Sequence, residues 1–195
     1  MRRIAIFASG FGSNFQAIQA AIDNQILNAK IELLISDKPK CLAIERAKHL
    51  NINVFSFNAP QYSTKALYEK EILYKLVTNR IDLVVLAGYM RIIGDTLLKG
   101  FKGKIINIHP SLLPSFKGKD AIGQAINAKV KITGVTVHYV NEELDSGQII
   151  AQEALDISKM SSREEIEMSI HNIEHRLYPK VIKNVLEDIH EKSTY

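Results

Sequence analysis

The chain has 195 residues, of which 46% are hydrophobic and 24% charged, and its formal net charge is +4. These values are typical of a globular domain with a buried core. The small basic excess suits an anionic ligand but is too weak to indicate a nucleic-acid surface, and no stretch approaches a membrane span. The single cysteine, Cys41, excludes an internal disulfide and fits a reducing compartment, so we expect a cytoplasmic protein.

Strands and helices alternate along the first half of the chain. We predict strands at residues 4–8, 31–35, 54–57 and 83–87. We predict helices between them at residues 14–24, 41–50 and 63–79. This alternation predicts an α/β fold in three layers, with a mostly parallel twisted sheet and helices on both faces.

The second half begins with another strand at residues 105–109 and ends in a long helix. An alternating segment at residues 131–140 and a partner at 148–154 predict an antiparallel extension of the sheet. A short helix is predicted at residues 121–127, and the last helix at residues 163–190, where Pro179 should kink or divide it. Because no linker or repeat separates these elements, we treat residues 1–195 as a single domain.

A glycine-rich loop follows the first strand. Gly12, Ser13 and Asn14 open the first helix, where backbone amides and the helix N-terminus favour a phosphate group. A dinucleotide site would need a third glycine, but Phe15 stands in that position. Asp37, the acidic residue after the second strand, lies somewhat further along the chain than the residue that binds the ribose in such sites. The loop therefore predicts a phosphate site, with a glycine turn that binds nothing as the alternative.

The strand at residues 105–109 ends at Pro110, because proline cannot donate to a sheet ladder. Side chains alternate along a strand, so Asn107 and His109 share one face at its carboxyl end, where α/β sheets bind ligands. An amide can donate to a developing oxyanion, and an imidazole can move a proton near neutral pH. Polar side chains that merely meet solvent explain this pattern about equally well.

The segment Asn107-Ile108-His109-Pro110-Ser111-Leu112-Leu113-Pro114 resembles the signature of the formyltransferase family, whose members use 10-formyltetrahydrofolate. The resemblance extends from residues 9–14 to residues 177–179 and is greatest to members that act on glycinamide ribonucleotide. It implies a Rossmann-like formyltransferase fold. It also implies transfer of the formyl group from 10-formyltetrahydrofolate, the co-substrate, to the amine of glycinamide ribonucleotide in purine (IMP) synthesis, without a metal.

The resemblance implies three catalytic residues. Asn107 and protonated His109 would stabilise the tetrahedral oxyanion, and Asp145 would hold His109 in its protonated form, since a nearby carboxylate favours an imidazolium. We expect His138 to be a hydrogen-bonded structural residue near them. Taken alone, the acidic segment at residues 141–147 is equally typical of a hairpin turn with solvated carboxylates.

The resemblance also implies a nucleotide- and phosphate-binding half at residues 1–100 and a folate-binding and catalytic half at residues 101–195. The implied ribonucleotide contacts are Gly12, Ser13, Asn14 and Glu174. The implied folate contacts are Lys65, Met90, Arg91, Ile92, Ile93, Asn107, Asn141, Glu142, Glu143, Leu144 and Asp145. Lys65 stands where relatives often carry arginine, and the loop at residues 115–124 departs from the family pattern, which leaves Lys117 and Lys119 unassigned.

Several alternatives stay open. Formyltetrahydrofolate hydrolase and methionyl-tRNA formyltransferase share much of the signature, although the first has His in place of Pro110 and each has an added domain. A nucleotide- or folate-binding module would bind without turnover. The run from His171 to His175 matches the H-x-x-E-H pattern of inverted zinc peptidases, but it has no obvious third ligand and a packed helix suits it equally well. We expect a monomer or homodimer that binds neither nucleic acid nor membrane.

Overall fold

The computed structural model describes residues 1–192, with side chains for residues 1–189. The strands are β1 (Arg2–Phe7), β2 (Ala29–Ser36), β3 (Asn53–Ser56), β4 (Leu83–Leu86), β5 (Ile105–His109), β6 (Ile132–Tyr139) and β7 (Ile149–Asp156). The helices are α1 (Ser13–Asp23), α2 (Leu42–His49), α3 (Lys65–Thr78), α4 (Asp95–Gly100), α5 (Ala121–Asn127) and α6 (Arg163–Lys192), with a 3₁₀ turn at Ala59–Gln61. Within the described residues, no helix is long and apolar enough to cross a membrane.

The strands form one sheet in the order β3-β2-β1-β4-β5-β6-β7. Strands β1 to β5 are parallel, whereas β6 and β7 continue the sheet in antiparallel pairing. The predicted parallel sheet and its antiparallel extension are thus confirmed. The chain proceeds outward from β1 in one direction and from β4 in the other, so a crevice for ligands opens at the carboxyl ends of these two neighbours.

Helices cover both faces of the sheet. In β1, Ile4 and Ile6 pack into a core with α1, α2, α5 and α6, whereas Ala5 and Phe7 pack into a second core with α3 and α4. Burial on both faces explains why the parallel strands are continuously apolar. The predicted three-layer architecture is therefore confirmed.

The long helix α6 passes through Pro179 without division, contrary to that part of the prediction. A proline inside a helix costs about 3 kcal/mol, because it removes one hydrogen bond and crowds the preceding turn. Tyr178 and Ile182, next to the proline and one turn beyond it, are fully buried in the same core. Burying a large apolar side chain contributes roughly 1.5–3 kcal/mol, so these anchors offset the loss.

Helix α4 is absent from the sequence-based prediction. Its six residues are too few to show helical periodicity, and Gly94 and Gly100 at its ends favour a loop. In the fold, Leu97 is buried in the second core, and the Gly94 backbone amide donates to Glu69 Oε1 of α3 at 2.7 Å. Tertiary contacts with α3 therefore stabilise a helix that local sequence does not specify.

Candidate active site

Three side chains assigned to catalysis meet at the carboxyl end of β5. Asn107 and His109 lie on one face of this strand, as predicted, and Asn107 is paired with His138 of β6. The loop after β6 returns Asp145 to the same place. Its Oδ2 lies 3.5 Å from His109 Nδ1, and its Oδ1 lies 3.7 Å from His138 Nε2. Both histidines and Asp145 are buried, so their interactions are shielded from bulk water.

His138 is a hydrogen-bonded residue of this group, as predicted. Its Nδ1 lies 2.8 Å from the Tyr139 carbonyl oxygen, and its Nε2 lies 3.2 Å from Asn107 Nδ2. Because a carbonyl only accepts and an amide nitrogen only donates, Nδ1 carries the proton and Nε2 accepts. Burial lowers the pKa of His138 and favours this neutral form. One amide hydrogen of Asn107 is thereby held, and the second can be donated to a ligand.

The loop between β5 and α5 folds over His109 and Asp145. His109 Nε2 lies 2.8 Å from the Phe116 carbonyl oxygen, and the Gly118 backbone amide donates to Asp145 Oδ2 at 2.8 Å. Phe116 and Gly118 both have positive φ, 57° and 79°, which turns their backbone towards the site. His109 is therefore flanked by two acceptors, the Phe116 carbonyl and the Asp145 carboxylate. This environment suits an imidazolium, which has two N–H donors.

A pocket opens beside this group, between the turn after β4 and the loop after β6. The predicted folate-binding residues that line it are Arg91, Ile92, Ile93, Asn107, Asn141, Glu143, Leu144 and Asp145. His138 also lines it. Residues from both halves of the chain therefore line this pocket.

Three predicted folate contacts, Lys65, Met90 and Glu142, are not among the lining residues of this pocket. Lys65 Nζ lies 3.9 Å from Glu69 Oε1, and the Met90 side chain is exposed. A larger cavity, of 240 Å³ against 90 Å³, lies near Met1 at the amino-terminal edge of β2. No residue predicted to bind or react lines it.

The glycine loop leads into α1 through Gly12, which has φ 79°. A Cβ at Gly12 would lie 2.9 Å from Ala43 Cβ of α2, so both the conformation and the close approach require glycine. Asn14, in the first turn of the helix, donates from Nδ2 to Glu174 Oε2 of α6 at 3.1 Å. Two residues predicted to bind the ribonucleotide at opposite ends, Asn14 and Glu174, are therefore in direct contact.

The Asn14 side chain is only partly satisfied. It is 7% exposed, and its Oδ1 has no hydrogen-bond partner among the described residues. A buried acceptor left unpaired costs about 1–3 kcal/mol. A ligand that donates to this oxygen would remove that cost, which fits a binding role for Asn14.

The residues of the H-x-x-E-H pattern face different surroundings. Glu174 is buried against Asn14, whereas the His171 and His175 rings stack with centroids 6.2 Å apart. Among side chains that the structure describes, no group of three or more His, Cys, Asp or Glu residues is arranged to hold a metal ion. The pattern is accounted for by a helix whose intervening residue, Ile173, packs into the core.

Glu174→Gln should stabilise the unliganded protein at neutral pH by about 1 kcal/mol. Burial raises the pKa of Glu174, although the Asn14 amide and His171 oppose this. The folded chain therefore holds this proton more tightly than the unfolded chain does, and stability is lost as pH rises through the raised pKa. Glutamine stays neutral and keeps an acceptor oxygen for Asn14.

Thermal unfolding of the native chain and the Glu174→Gln variant across the acid and neutral range tests this expectation. The difference should vanish at acid pH, where the carboxyl is protonated in both the folded and the unfolded chain. If the variant were less stable than the native chain at neutral pH, the contacts of Glu174 with its neighbours would more than offset the effect of burying its negative charge.

Comparison with known proteins places this site in a family. The model of the family described as formyl transferase matches residues 2–182. Phosphoribosylglycinamide formyltransferase of Bacillus subtilis (strain 168) is 50% identical over 186 residues, which cover 95% of each chain. The human trifunctional purine biosynthetic protein adenosine-3 is 36% identical over 183 residues, which cover 94% of this chain and 18% of that protein.

Solved structures agree with this assignment. Glycinamide ribonucleotide transformylase 1 from Geobacillus kaustophilus has a TM-score of 0.93 and 52% identity, with 95% of this chain and 99% of that chain covered. Phosphoribosylglycinamide formyltransferase from Bacillus halodurans has a TM-score of 0.92 and 48% identity, with 95% of each chain covered. Because the family model and the fold both extend over nearly the whole chain, this protein belongs to the formyl transferase family.

Proposed function

We propose that this protein transfers the formyl group of 10-formyltetrahydrofolate to the amine of glycinamide ribonucleotide. The products are N-formylglycinamide ribonucleotide and tetrahydrofolate, in the synthesis of IMP. The observation that carries the proposal is the convergence of Asn107, His109 and Asp145 beside a pocket lined by eight of the eleven residues assigned to folate. The relatives named as phosphoribosylglycinamide formyltransferases support the choice of acceptor.

The mechanism needs donors for a developing negative charge. The neutral amine attacks the formyl carbon, and the carbonyl oxygen becomes an oxyanion that Asn107 Nδ2–H and protonated His109 stabilise. The bond from the formyl carbon to the folate nitrogen then breaks. The leaving nitrogen gains a proton that His109 delivers directly or through water, and the proton lost by the amine passes to His109, which restores the imidazolium. Hydrogen bonds carry the charge, so no nucleophilic side chain and no metal is required.

The other buried groups keep these donors in place. Asp145 Oδ2, at 3.5 Å from His109 Nδ1, faces one edge of the imidazole ring, and His138 fixes the Asn107 amide. For His109 Nε2–H to reach the formyl oxygen, it must exchange its contact with the Phe116 carbonyl. The formyl oxygen therefore competes with the Phe116 carbonyl for this N–H.

The two substrates occupy adjoining regions of a single domain. The backbone amides of Gly12, Ser13 and Asn14 at the α1 N-terminus bind the ribonucleotide phosphate, and Glu174 binds the amine end. The folate ring lies in the pocket between the turn after β4 and the loop after β6. Residues 1–100 chiefly serve the nucleotide and residues 101–195 the folate and the chemistry. Residues 193–195 of that second half lie outside the described residues.

We infer a cytoplasmic monomer or homodimer whose partners are these two small molecules, with no metal, nucleic acid or membrane. The single cysteine and the modest charge support this inference.

The absorbance change of a 10-formyl folate analogue tests the function. We expect deformylation when glycinamide ribonucleotide is present and none when it is omitted. Deformylation without an acceptor would identify a hydrolase, and transfer to initiator methionyl-tRNA would identify the RNA-directed alternative. Binding of both ligands without turnover would support a binding module and overturn the proposal.

A further inference from the structure

Asp37 is a buried carboxylate that the proposed mechanism does not use. It follows β2 directly and is 6% exposed. Its Oδ1 accepts a hydrogen bond of 2.5 Å from Ser9 Oγ, and its Oδ2 lies 3.9 Å from Arg91 Nη1. One carboxylate therefore contacts both the loop that follows β1 and the turn that follows β4.

Ser9 extends this contact to the backbone of the β4 turn. Its Oγ accepts from the Met90 backbone amide at 2.9 Å, and its own amide donates to the Gly88 carbonyl at 3.1 Å. The single hydroxyl hydrogen of Ser9 is then the one donated to Asp37. A chain of hydrogen bonds thus leads from Met90 through Ser9 to Asp37, and each bond in such a chain polarises the next.

Arg91 is the second residue of the β4 turn that interacts with the Asp37 network, through its ion pair with the Asp37 carboxylate. Its Nε donates to the Tyr68 hydroxyl at 3.3 Å, and its guanidinium lies 5.4 Å from the centre of the Tyr68 ring. These contacts hold the guanidinium at the wall of the folate pocket, which Arg91 lines. An ion pair at 3.9 Å with a partly exposed partner contributes little stability by itself. Its structural effect is to set where the pocket wall lies relative to the glycine loop.

Asp37 lies where the loop after β1 and the turn after β4 come together. Strands β1 and β4 are neighbours at the point where the strand order reverses. The glycine loop, proposed to bind phosphate, leaves β1, and the turn proposed to bind folate leaves β4. The hydrogen bonds of Ser9 and Asp37 therefore cross from one proposed substrate site to the other.

We propose that Asp37 is a positioning residue that couples the two substrate sites, so that each substrate binds more tightly when the other is present. This inference rests on the proposed function. A ligand that fixes one loop also fixes the other through Ser9 and Arg91, so the second ligand meets a site that is already ordered. Thermodynamic linkage requires the two ligands to strengthen each other by the same factor, typically about fivefold or more.

Calorimetric titration of the full chain with glycinamide ribonucleotide, with and without saturating tetrahydrofolate, measures this factor. Tetrahydrofolate carries no formyl group, so no reaction interferes. We expect tetrahydrofolate to tighten ribonucleotide binding to the native chain by about fivefold or more. Ser9→Ala removes the hydrogen-bond chain, and Asp37→Asn removes the charge that faces Arg91. Each should reduce the factor and raise KM for both substrates, with kcat within a few-fold of the native value. The bond from the Ser9 backbone amide to the Gly88 carbonyl remains in both variants, so part of the coupling is kept.

Asp82→Asn is the matched control. Asp82 also joins the start of β4 to β1, by accepting from Arg2 Nη1 at 3.0 Å and from the Arg3 backbone amide at 2.8 Å. These contacts lie at the amino-terminal ends of β1 and β4, whereas Asp37 lies at the carboxyl ends of the strands. The control should lose stability yet keep the native coupling factor, since it leaves the side-chain contacts of Ser9 and Asp37 intact.

The outcomes separate this inference from the function on which it rests. A native chain that binds both ligands without mutual strengthening would overturn the coupling and leave the function intact. Retention of the native factor in Ser9→Ala and Asp37→Asn, or an equal loss in Asp82→Asn, would also overturn it. A native chain that binds neither ligand would overturn the function and the coupling together.

Discussion

His109→Ala should lower kcat for formyl transfer by about a hundredfold or more, with KM for both substrates within a few-fold of native values. His109 is 5% exposed and lies between the Phe116 carbonyl and the Asp145 carboxylate. In the proposed mechanism its Nε2–H exchanges the Phe116 carbonyl for the developing oxyanion. Alanine removes that donor and the proton for the leaving nitrogen, but the pocket wall and the glycine loop remain.

Steady-state kinetics with both substrates varied measures this effect. His49→Ala is the matched control, because His49 is exposed at the end of α2 and contacts the Glu45 carbonyl of its own helix. The control should keep native kcat. Asn107→Ala and Asp145→Ala should each lose about as much as His109→Ala, and less than additively in combination, since the three act as one unit. Near-native turnover in any of these single variants would remove that residue from the mechanism.

Tyr178→Ala should lower the free energy of unfolding by about 3–5 kcal/mol, the largest stability effect we expect from one substitution. Tyr178 is fully buried, and its hydroxyl lies 2.9 Å from the Leu86 carbonyl oxygen and 3.2 Å from that of Ile106. It therefore joins α6 to the last residue of β4 and to the residue of β5 that precedes Asn107. Burial raises the pKa of Tyr178 well above its usual value, so the hydroxyl stays a donor across the working pH range.

Urea unfolding of Tyr178→Ala and Tyr178→Phe separates the two contributions. Phenylalanine keeps the ring and leaves no cavity, so it should lose only about 1–3 kcal/mol, the effect of leaving buried carbonyls without their donor. If Tyr178→Phe lost as much as Tyr178→Ala, the hydroxyl rather than core packing would dominate. If Tyr178→Ala lost less than about 1 kcal/mol, the site would have collapsed around the missing side chain.

Local rules were sufficient for much of this fold. The strand at residues 105–109 and the helix at residues 121–127 have the bounds predicted from sequence. For the strand the reason is Pro110, which cannot continue a sheet ladder. Helix α4 and the continuity of α6 through Pro179 depend instead on contacts with distant residues, Glu69 and the main core. Intrinsic propensity is a weak term that such packing overrides.

In the candidate site, too, local sequence was enough to predict some features, whereas others depend on tertiary packing. Local pattern was enough to place Asn107 and His109 on one face at a strand end, since the side-chain period of a strand is two. The position of His138 opposite Asn107 came only with the fold, because strand register depends on which residues of two strands pair. Packing of distant segments likewise brings Asp145 to His109, Glu174 to Asn14 and Asp37 to Ser9. Spacing along a sequence carries no information about such distances, which are set when the helices and strands pack.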